Sequence, residues 1–306
     1  MSKIAFVFPG QGSQAVGMGR DLGEASPRWA EASDALGLDL RRLCFEGPEA
    51  ELMLTTNTQP AILATSIVAL DALRTAGVTC EFVAGHSLGE YSALVAAGAL
   101  EFADALRTVR ARGRFMQEAV PSGEGTMAAV IGLERRLVFQ ACEEAQVAGL
   151  VQVANLNAPG QTVIAGATAA VKQAAELAKA KGAKRAVLLP VSAPFHCALL
   201  EPAARRLEEV LHGVRFRGLR VPLVTNVDAD LLTDGAQVPD ALVRQVTSPV
   251  RWEEVVVRLT KEGVDTFVEV GPGKVLSGLI RRIAPETRVL NVEDRASLDA
   301  TLKAVH

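Results

Sequence analysis

The sequence predicts an α/β protein: a parallel-sheet body covered by helices on both faces, with a small ferredoxin-like subdomain set into it. Three observations lead there. Short apolar runs alternate with helix-length segments along most of the chain. The runs are continuously apolar rather than alternating, as strands buried on both faces are. One central stretch breaks the alternation with the order β-α-β-β-α-β, the ferredoxin-like pattern. Hydrophobic residues make up 49% of the 306 residues and aromatics only 4%, so the core is aliphatic, which suits α/β layers.

Ile4–Phe8 reads as the first buried strand, followed by a glycine-containing loop and a helix over 28–36. A long helix is expected over 59–76, a strand over 81–84, and helices over 87–97 and 102–119. The central stretch then supplies a strand at 127–131, a helix at 134–146, strands at 151–154 and 162–165, a helix at 169–181 and a strand at 186–189. Residues 125–190 are therefore read as the inserted subdomain, and 1–124 with 191–306 as the body. The apolar run 187–191 also reads as a strand that leads into a helix over 198–211. Near the end, strands at 266–270 and 288–292 flank a helix over 274–283. No low-complexity segment and no repeat of fixed period interrupts this order.

Charge and cysteine content exclude several classes. The net charge is −3, from 32 basic and 35 acidic residues, so no global basic field points to nucleic acid. Cys44, Cys80, Cys142 and Cys197 are scattered, with no C-x-x-C, which fits neither a disulfide framework nor a zinc site but does fit a reducing compartment. The opening "MSKIAFVFPG" is too short an apolar run for a signal peptide, and the uncharged stretch 52–70 is broken by Asn57, Gln59 and Pro60. The expectation is a soluble, cytoplasmic protein.

"GHSLG", residues 85–89, fits the G-x-S-x-G elbow in the context it requires, a strand before and a helix after. Glycines are needed because the turn is sharp and side chains there would collide with neighbouring elements. The alternative is a plain tight turn. In the elbow reading Ser87 is a nucleophile at a helix N-terminus, and the Leu88 N–H points to where an oxyanion would form. A serine needs a base. His86 adjoins the serine and points away, His212 lies at the polar end of a helix, and His306 is the last residue. His196 follows a proline-fixed loop, 192–195, and precedes a helix, and is the well-placed base. Its neighbour Cys197 reads as a small buried residue. No acid is obviously third: Asp228 and Asp230 are candidates within a turn-like stretch, and an amide or a backbone carbonyl could serve instead.

Three further motifs bear on the chemistry. "GQGSQA", 10–15, fits G-x-G-x-x-A, but a helix rather than a second strand with a terminal acid follows, so its amides suit an oxyanion hole better than a dinucleotide. "GPGKVLSG", 271–278, lacks the upstream glycine and the Ser/Thr of a P-loop and reads as a strand-to-helix turn. On the helix over 102–119, at about 100° per residue, Arg107, Arg110 and Arg114 lie opposite the apolar face. Arg112 sits at its margin beside Gly113, where another backbone can approach. An arginine drawn to a buried face wants an anion, either a structural acid or a ligand.

With these pieces in place the sequence resembles the malonyl-CoA:acyl carrier protein transacylases over nearly its whole length. The motifs are "FPGQGSQ" at 8–14, "TQPA" at 58–61, "GHSLGEYSAL" at 85–94, "RGRFMQEAVP" at 112–121, "NAPGQTVIAG" at 157–166, "PFHCALL" at 194–200, "QVTSPVRW" at 245–252 and "EVGPGKVLSG" at 269–278. The resemblance implies an α/β-hydrolase-like body with a ferredoxin-like insert. It implies Ser87 as acyl-accepting nucleophile, His196 as base and Gln245 orienting His196 through its main-chain carbonyl. Gln11 and Leu88 would give oxyanion-hole amides, Arg112 would hold the malonyl carboxylate, and Asn155 would support the site. Phe195 varies in the family, and a ring there implies malonyl rather than branched-acyl selection. Leu200 departs from a frequent methionine, a packing change.

The implied reaction moves malonyl from malonyl-CoA to the phosphopantetheine thiol of acyl carrier protein by a ping-pong route, without metal or redox cofactor, in a monomer. The carrier protein is acidic in this family, so Lys184-Arg185 or Arg205-Arg206 would receive it. A serine hydrolase would share Ser87 and His196 but not need Arg112. A dinucleotide enzyme would need the Gly10 loop and not Ser87.

Overall fold

The interior strands of the main sheet are buried on both faces and mostly apolar; the buried Glu269 is satisfied by the Leu276 and Ser277 N–H groups. The computed structural model describes residues 2–191 and 193–305; Met1, Ser192 of the proline-fixed loop and His306 lie outside them. In chain order the strands are β1 (Ile4–Phe8), β2 (Phe82–Gly85), β3 (Gly125–Ile131), β4 (Val151–Ala158) and β5 (Gln161–Ala167). Then come β6 (Arg185–Leu188), β7 (Leu223–Val224), β8 (Leu231–Leu232), β9 (Thr266–Val270) and β10 (Arg288–Val292). The larger sheet has the order β10-β9-β1-β2-β7-β8, parallel throughout except for β8. Successive side chains of β1 enter opposite faces: Phe6 and Phe8 join one apolar cluster, Ala5 and Val7 the other.

The second sheet, β4-β5-β3-β6, is antiparallel and is backed by helices Arg135–Ala145 and Thr168–Ala180. Their apolar faces meet the sheet in a core of their own, with Val138, Ala141, Val171 and Ala174 buried. The fold is thus a parallel-rich α/β body with a separate ferredoxin-like antiparallel sheet, as the sequence predicted.

Two expectations are corrected. The run read as a strand over 187–191 does not belong to the main sheet. The observed strand is β6, ending at Leu188 and pairing with β3 at the edge of the small sheet. Pro190 has no N–H for a ladder, so the apolar run outlasts the strand. The long helix begins at Thr55, four residues earlier than read, with Pro60 inside it near the N-terminal end. It matters for the site, because Gly113 of helix Phe102–Glu118 abuts its first turn: a Cβ there would sit 2.7 Å from the Thr55 carbonyl oxygen.

Near the site the small sheet is tied to the body. Leu156 donates its N–H to Val250 O at 2.9 Å and Val250 donates to Ala154 O at 2.9 Å, a parallel bridge between β4 and the body.

Candidate active site

The elbow is a strained turn held on all sides. Ser87 has φ +52°, the left-handed region that side chains rarely adopt. Holding it there costs roughly 1–3 kcal/mol, which the surroundings must offset. A Cβ on Gly85 would lie 2.0 Å from the Gly89 carbonyl, and one on Gly89 would lie 2.0 Å from Phe8 O. Both glycines are thus required by backbone contact. Asn226 clamps the turn, accepting the Ser87 N–H (2.7 Å) on its side-chain oxygen and donating to Gly85 O (2.7 Å). Gln245 donates from Nε2 to Ser87 O at 3.0 Å.

Ser87 Oγ lies 2.7 Å from His196 Nε2. His196 Nδ1 lies 2.9 Å from the Gln245 carbonyl oxygen, which can only accept, so the proton sits on Nδ1 and Nε2 presents its lone pair to the serine. Burial, with the Arg112 cation close by, pushes His196 down to about 3, so the ring is a neutral acceptor across the physiological range. Its backbone is also left-handed, φ +60°. His196 therefore reaches the serine from an irregular loop, not from the end of a parallel strand.

Neither acid candidate approaches it. Asp228 takes Arg244 on both oxygens, at 2.9 and 2.8 Å, and Asp230 pairs with Arg258 at 3.0 Å. His86 packs, as read: its Nε2 lies 2.9 Å from Asn157 Oδ1 and its ring tilts against Trp252. Cys197 is buried with its thiol pushed up to about 11 by desolvation.

Arg112 is 2% exposed and, among the described residues, forms no ion pair with an acid. Its guanidinium donates from Nη1 to Gln59 Oε1 (2.9 Å) and from Nη2 to Gln245 Oε1 (2.9 Å) and Ser87 Oγ (3.1 Å), while lying over the Tyr91 ring at 5.7 Å. A buried cation held by neutral oxygens beside a serine hydroxyl is a ready site for a ligand carboxylate.

These groups line a cleft of about 530 Å³ between the two sheets, with Met127 from β3 and Asn155 from β4 on one wall and Ser87, Leu88 and Arg112 on the other. Gln11 lies at its edge and Phe195, nearly buried, closes part of it. Among the described residues, the N–H groups of Gln11 and Leu88 have no hydrogen-bond partner, so both can donate to a developing oxyanion. Another cavity, of about 570 Å³, carries no serine, cysteine or histidine on its walls.

Of the residues singled out in the sequence, Ser87, His196, Gln245, Arg112, Gln11, Leu88, Asn155 and Phe195 all fall at or beside this cleft. Three were passed over. Gln59 lay in a quoted motif without a role, Asn226 in a stretch read as a turn, and Glu90 directly after the elbow. No local signal marks them: Gln59 follows Thr55-Thr56-Asn57-Thr58 and Asn226 shares its stretch with Asp228 and Asp230, so each is one polar residue among several.

The sequence matches the family described as "Acyl transferase domain" over residues 5–298. The chain belongs to this acyl transferase family. As an acyltransferase it is 50% identical, over 310 aligned positions, to the malonyl CoA-acyl carrier protein transacylase of Bacillus subtilis strain 168, covering 100% of this chain and 98% of that one. It is 48% identical to the protein of the same name from Escherichia coli K12, with 99% and 100% covered. Among solved structures, the acyl-carrier-protein S-malonyltransferase of Burkholderia pseudomallei 1710b superposes with TM-score 0.96 at 51% identity, over 98% of this chain and 99% of that one. A malonyl-transacylase solved in complex with a type II PKS acyl carrier protein matches with TM-score 0.96 at 47% identity, over 99% and 100%. The resemblance read from the motifs is borne out in family and in fold.

Proposed function

We propose that this acyltransferase moves the malonyl group from malonyl-CoA to the phosphopantetheine thiol of acyl carrier protein, supplying fatty acid biosynthesis, with Ser87, His196 and Arg112 as its working residues. The observation that carries it is Arg112: a buried guanidinium without an acid partner among the described residues, 3.1 Å from the Ser87 hydroxyl. An acyl group with a carboxylate one methylene from its thioester carbon matches that spacing, and acetyl does not use it.

In this reading His196 Nε2 takes the Ser87 proton as Oγ attacks the thioester carbon. The oxyanion is received by the Gln11 and Leu88 N–H groups. Collapse breaks the carbon–sulfur bond, and the imidazolium returns its proton to the departing CoA thiolate. The carrier thiol then gives its proton to His196, attacks the malonyl ester, and Ser87 leaves as alkoxide and is reprotonated. Atoms and electrons balance with serine, histidine and the two thiols alone, so no cofactor enters the proposal. The Gln245 carbonyl keeps His196 in its working tautomer, Asn155 supports the cleft wall, and the Phe195 ring limits the room beside the acyl chain.

We further propose residues 1–124 and 191–306 as the catalytic body and 125–190 as the subdomain that supplies the other wall, in a monomeric, cytoplasmic enzyme. Among the described residues no helix is long and apolar enough to cross a membrane, and no cluster of metal-ligating side chains is found. Of the two basic pairs, Arg205 and Arg206 are each matched with an acid, at 3.2 and 2.7 Å. Lys184 and Arg185 are exposed at the edge of the small sheet, without ion pairs among the described residues. The carrier protein is proposed to approach there.

Intact-mass measurement after mixing with malonyl-CoA tests the reading. Wild type should acquire one malonyl group, and Ser87→Ala none. An adduct on Ser87→Ala would reassign the nucleophile, and rapid release of free malonate without transfer to carrier protein would favour a hydrolase.

A further inference from the structure

Glu90 is a fully buried carboxyl three residues past the nucleophile, and none of the acyl-transfer steps uses it. Its Oε2 accepts from the Gln245 side-chain N–H at 2.9 Å and from the Asn226 backbone N–H at 3.0 Å. Each partner holds part of the site: Gln245 Oε1 accepts from Arg112, and the Asn226 side chain accepts the Ser87 N–H. A side-chain amide has a donor end and an acceptor end, and its partners decide which way it faces. A guanidinium only donates, so Arg112 needs the oxygen end.

We infer that Glu90 is a positioning residue that fixes the Gln245 amide with its oxygen toward Arg112, and so holds the guanidinium where the acyl carboxylate arrives. Without that acceptor only the Ser87 carbonyl, at 3.0 Å, still holds the donor end of the amide; the amide turns more readily, setting an NH₂ against the guanidinium, and Arg112 then loses one of its two side-chain amide anchors. The other Glu90 oxygen is buried with no hydrogen-bond partner among the described residues, so it can carry a proton while Oε2 goes on accepting. Burial pushes the carboxyl up to about 7, against the hydrogen bonds from Gln245 and Asn226 that pull it down.

This inference rests on the reading of Arg112 as the carboxylate binder, and the test separates the two. The measurement is kcat/KM for malonyl-CoA and acetyl-CoA on wild type, Glu90→Gln, Glu90→Met, Glu90→Asp and Arg112→Ala, with melting curves as a fold control. Glu90→Gln keeps an acceptor oxygen at the same reach and should keep the malonyl-to-acetyl ratio near wild type. Glu90→Met keeps the bulk without the acceptor and should lower the ratio about tenfold, chiefly through malonyl. Glu90→Asp withdraws the acceptor by one methylene and should lower the ratio too; it is read in place of Met should that variant not fold. A proportional fall with both thioesters, or a Gln variant that loses the ratio as far as Met, overturns the role of Glu90. If Arg112→Ala lowers the ratio and the Glu90 variants do not, only the inference about Glu90 fails. If Arg112→Ala leaves the ratio unchanged, the reading of Arg112 fails first.

Discussion

Arg112 and Arg244 are both helical arginines, and they stand at opposite ends of what an arginine can do. Arg244 is half-exposed and its fork is filled, by Asp228 on two atoms and Asp240 on a third. Arg112 is buried, closer to the centre of the molecule, and rests on the amide oxygens of Gln59 and Gln245. Desolvation should make the buried arginine the one most in need of an acid. The acid is paired directly with the surface arginine instead, which supports reading Arg112 as a cation kept for a ligand. An exposed pair like Arg244–Asp228 is worth about 0–1 kcal/mol; a carboxylate delivered to Arg112 would meet a charge already desolvated and fixed in place.

A free cation at Arg112 serves catalysis only if the chemistry happens beside it, and the largest expected effect tests that. His196→Ala should slow acylation by malonyl-CoA by roughly 10² to 10⁴, measured as the rate of adduct formation; unchanged kinetics would move the base elsewhere. The same ring sets a pH signature. A histidine at its ordinary value of about 6.5 would protonate, and activity would fall, as pH drops through that point. Because His196 is pushed down to about 3, its neutral form persists, and kcat/KM should stay level from about pH 8 to about pH 5. A fall centred near 6.5 would mean the ring is far less desolvated than its burial implies.

A smaller effect comes from making Arg112 resemble Arg244. Gln59→Glu places a carboxylate within 2.9 Å of Nη1, where the amide oxygen now lies. The internal acid then competes with the substrate's, and kcat/KM for malonyl-CoA should drop by roughly 10- to 150-fold, the equivalent of one charge-assisted hydrogen bond. Acetyl-CoA should be affected far less. Equal losses with both thioesters would mean the substitution disturbs the cleft in general.

Much of this was legible in the sequence, and what was not has a common cause. Strands β9 and β10 begin and end at the residues read for them, because each is a short apolar run bounded by polar or glycine-rich turns. The elbow is local as well, since strand, glycines, serine and helix follow one another within a few residues. Misplacing the run after the small subdomain came from reading apolarity as pairing: Leu189 and Val191 are apolar because they line the cleft, and β6 stops before them. The polar network behind the site was invisible for a different reason. Gln59 meets Arg112 across 53 residues, Asn226 meets Ser87 across 139 and Gln245 meets Glu90 across 155, so no local pattern marks these pairings. The third partner of the dyad shows the same limit. Asp228 and Asp230 had the right chemistry, but their charges are taken by Arg244 and Arg258, and a main-chain oxygen, which leaves no mark in a sequence, orients His196.

The central claim is that Arg112 binds the acyl carboxylate, and kcat/KM for malonyl-CoA and acetyl-CoA on wild type, Arg112→Ala, Arg112→Lys and Arg244→Ala tests it most directly. Arg112→Ala should lower the malonyl value at least about tenfold while the acetyl value falls much less or rises. Arg112→Lys should recover part of the loss, keeping the charge without the fork. Arg244→Ala, the surface control, should cost at most about 1 kcal/mol of stability and leave the ratio of the two thioesters where it was. If malonyl and acetyl fall together in Arg112→Ala, the guanidinium is a structural prop and the carboxylate is held elsewhere.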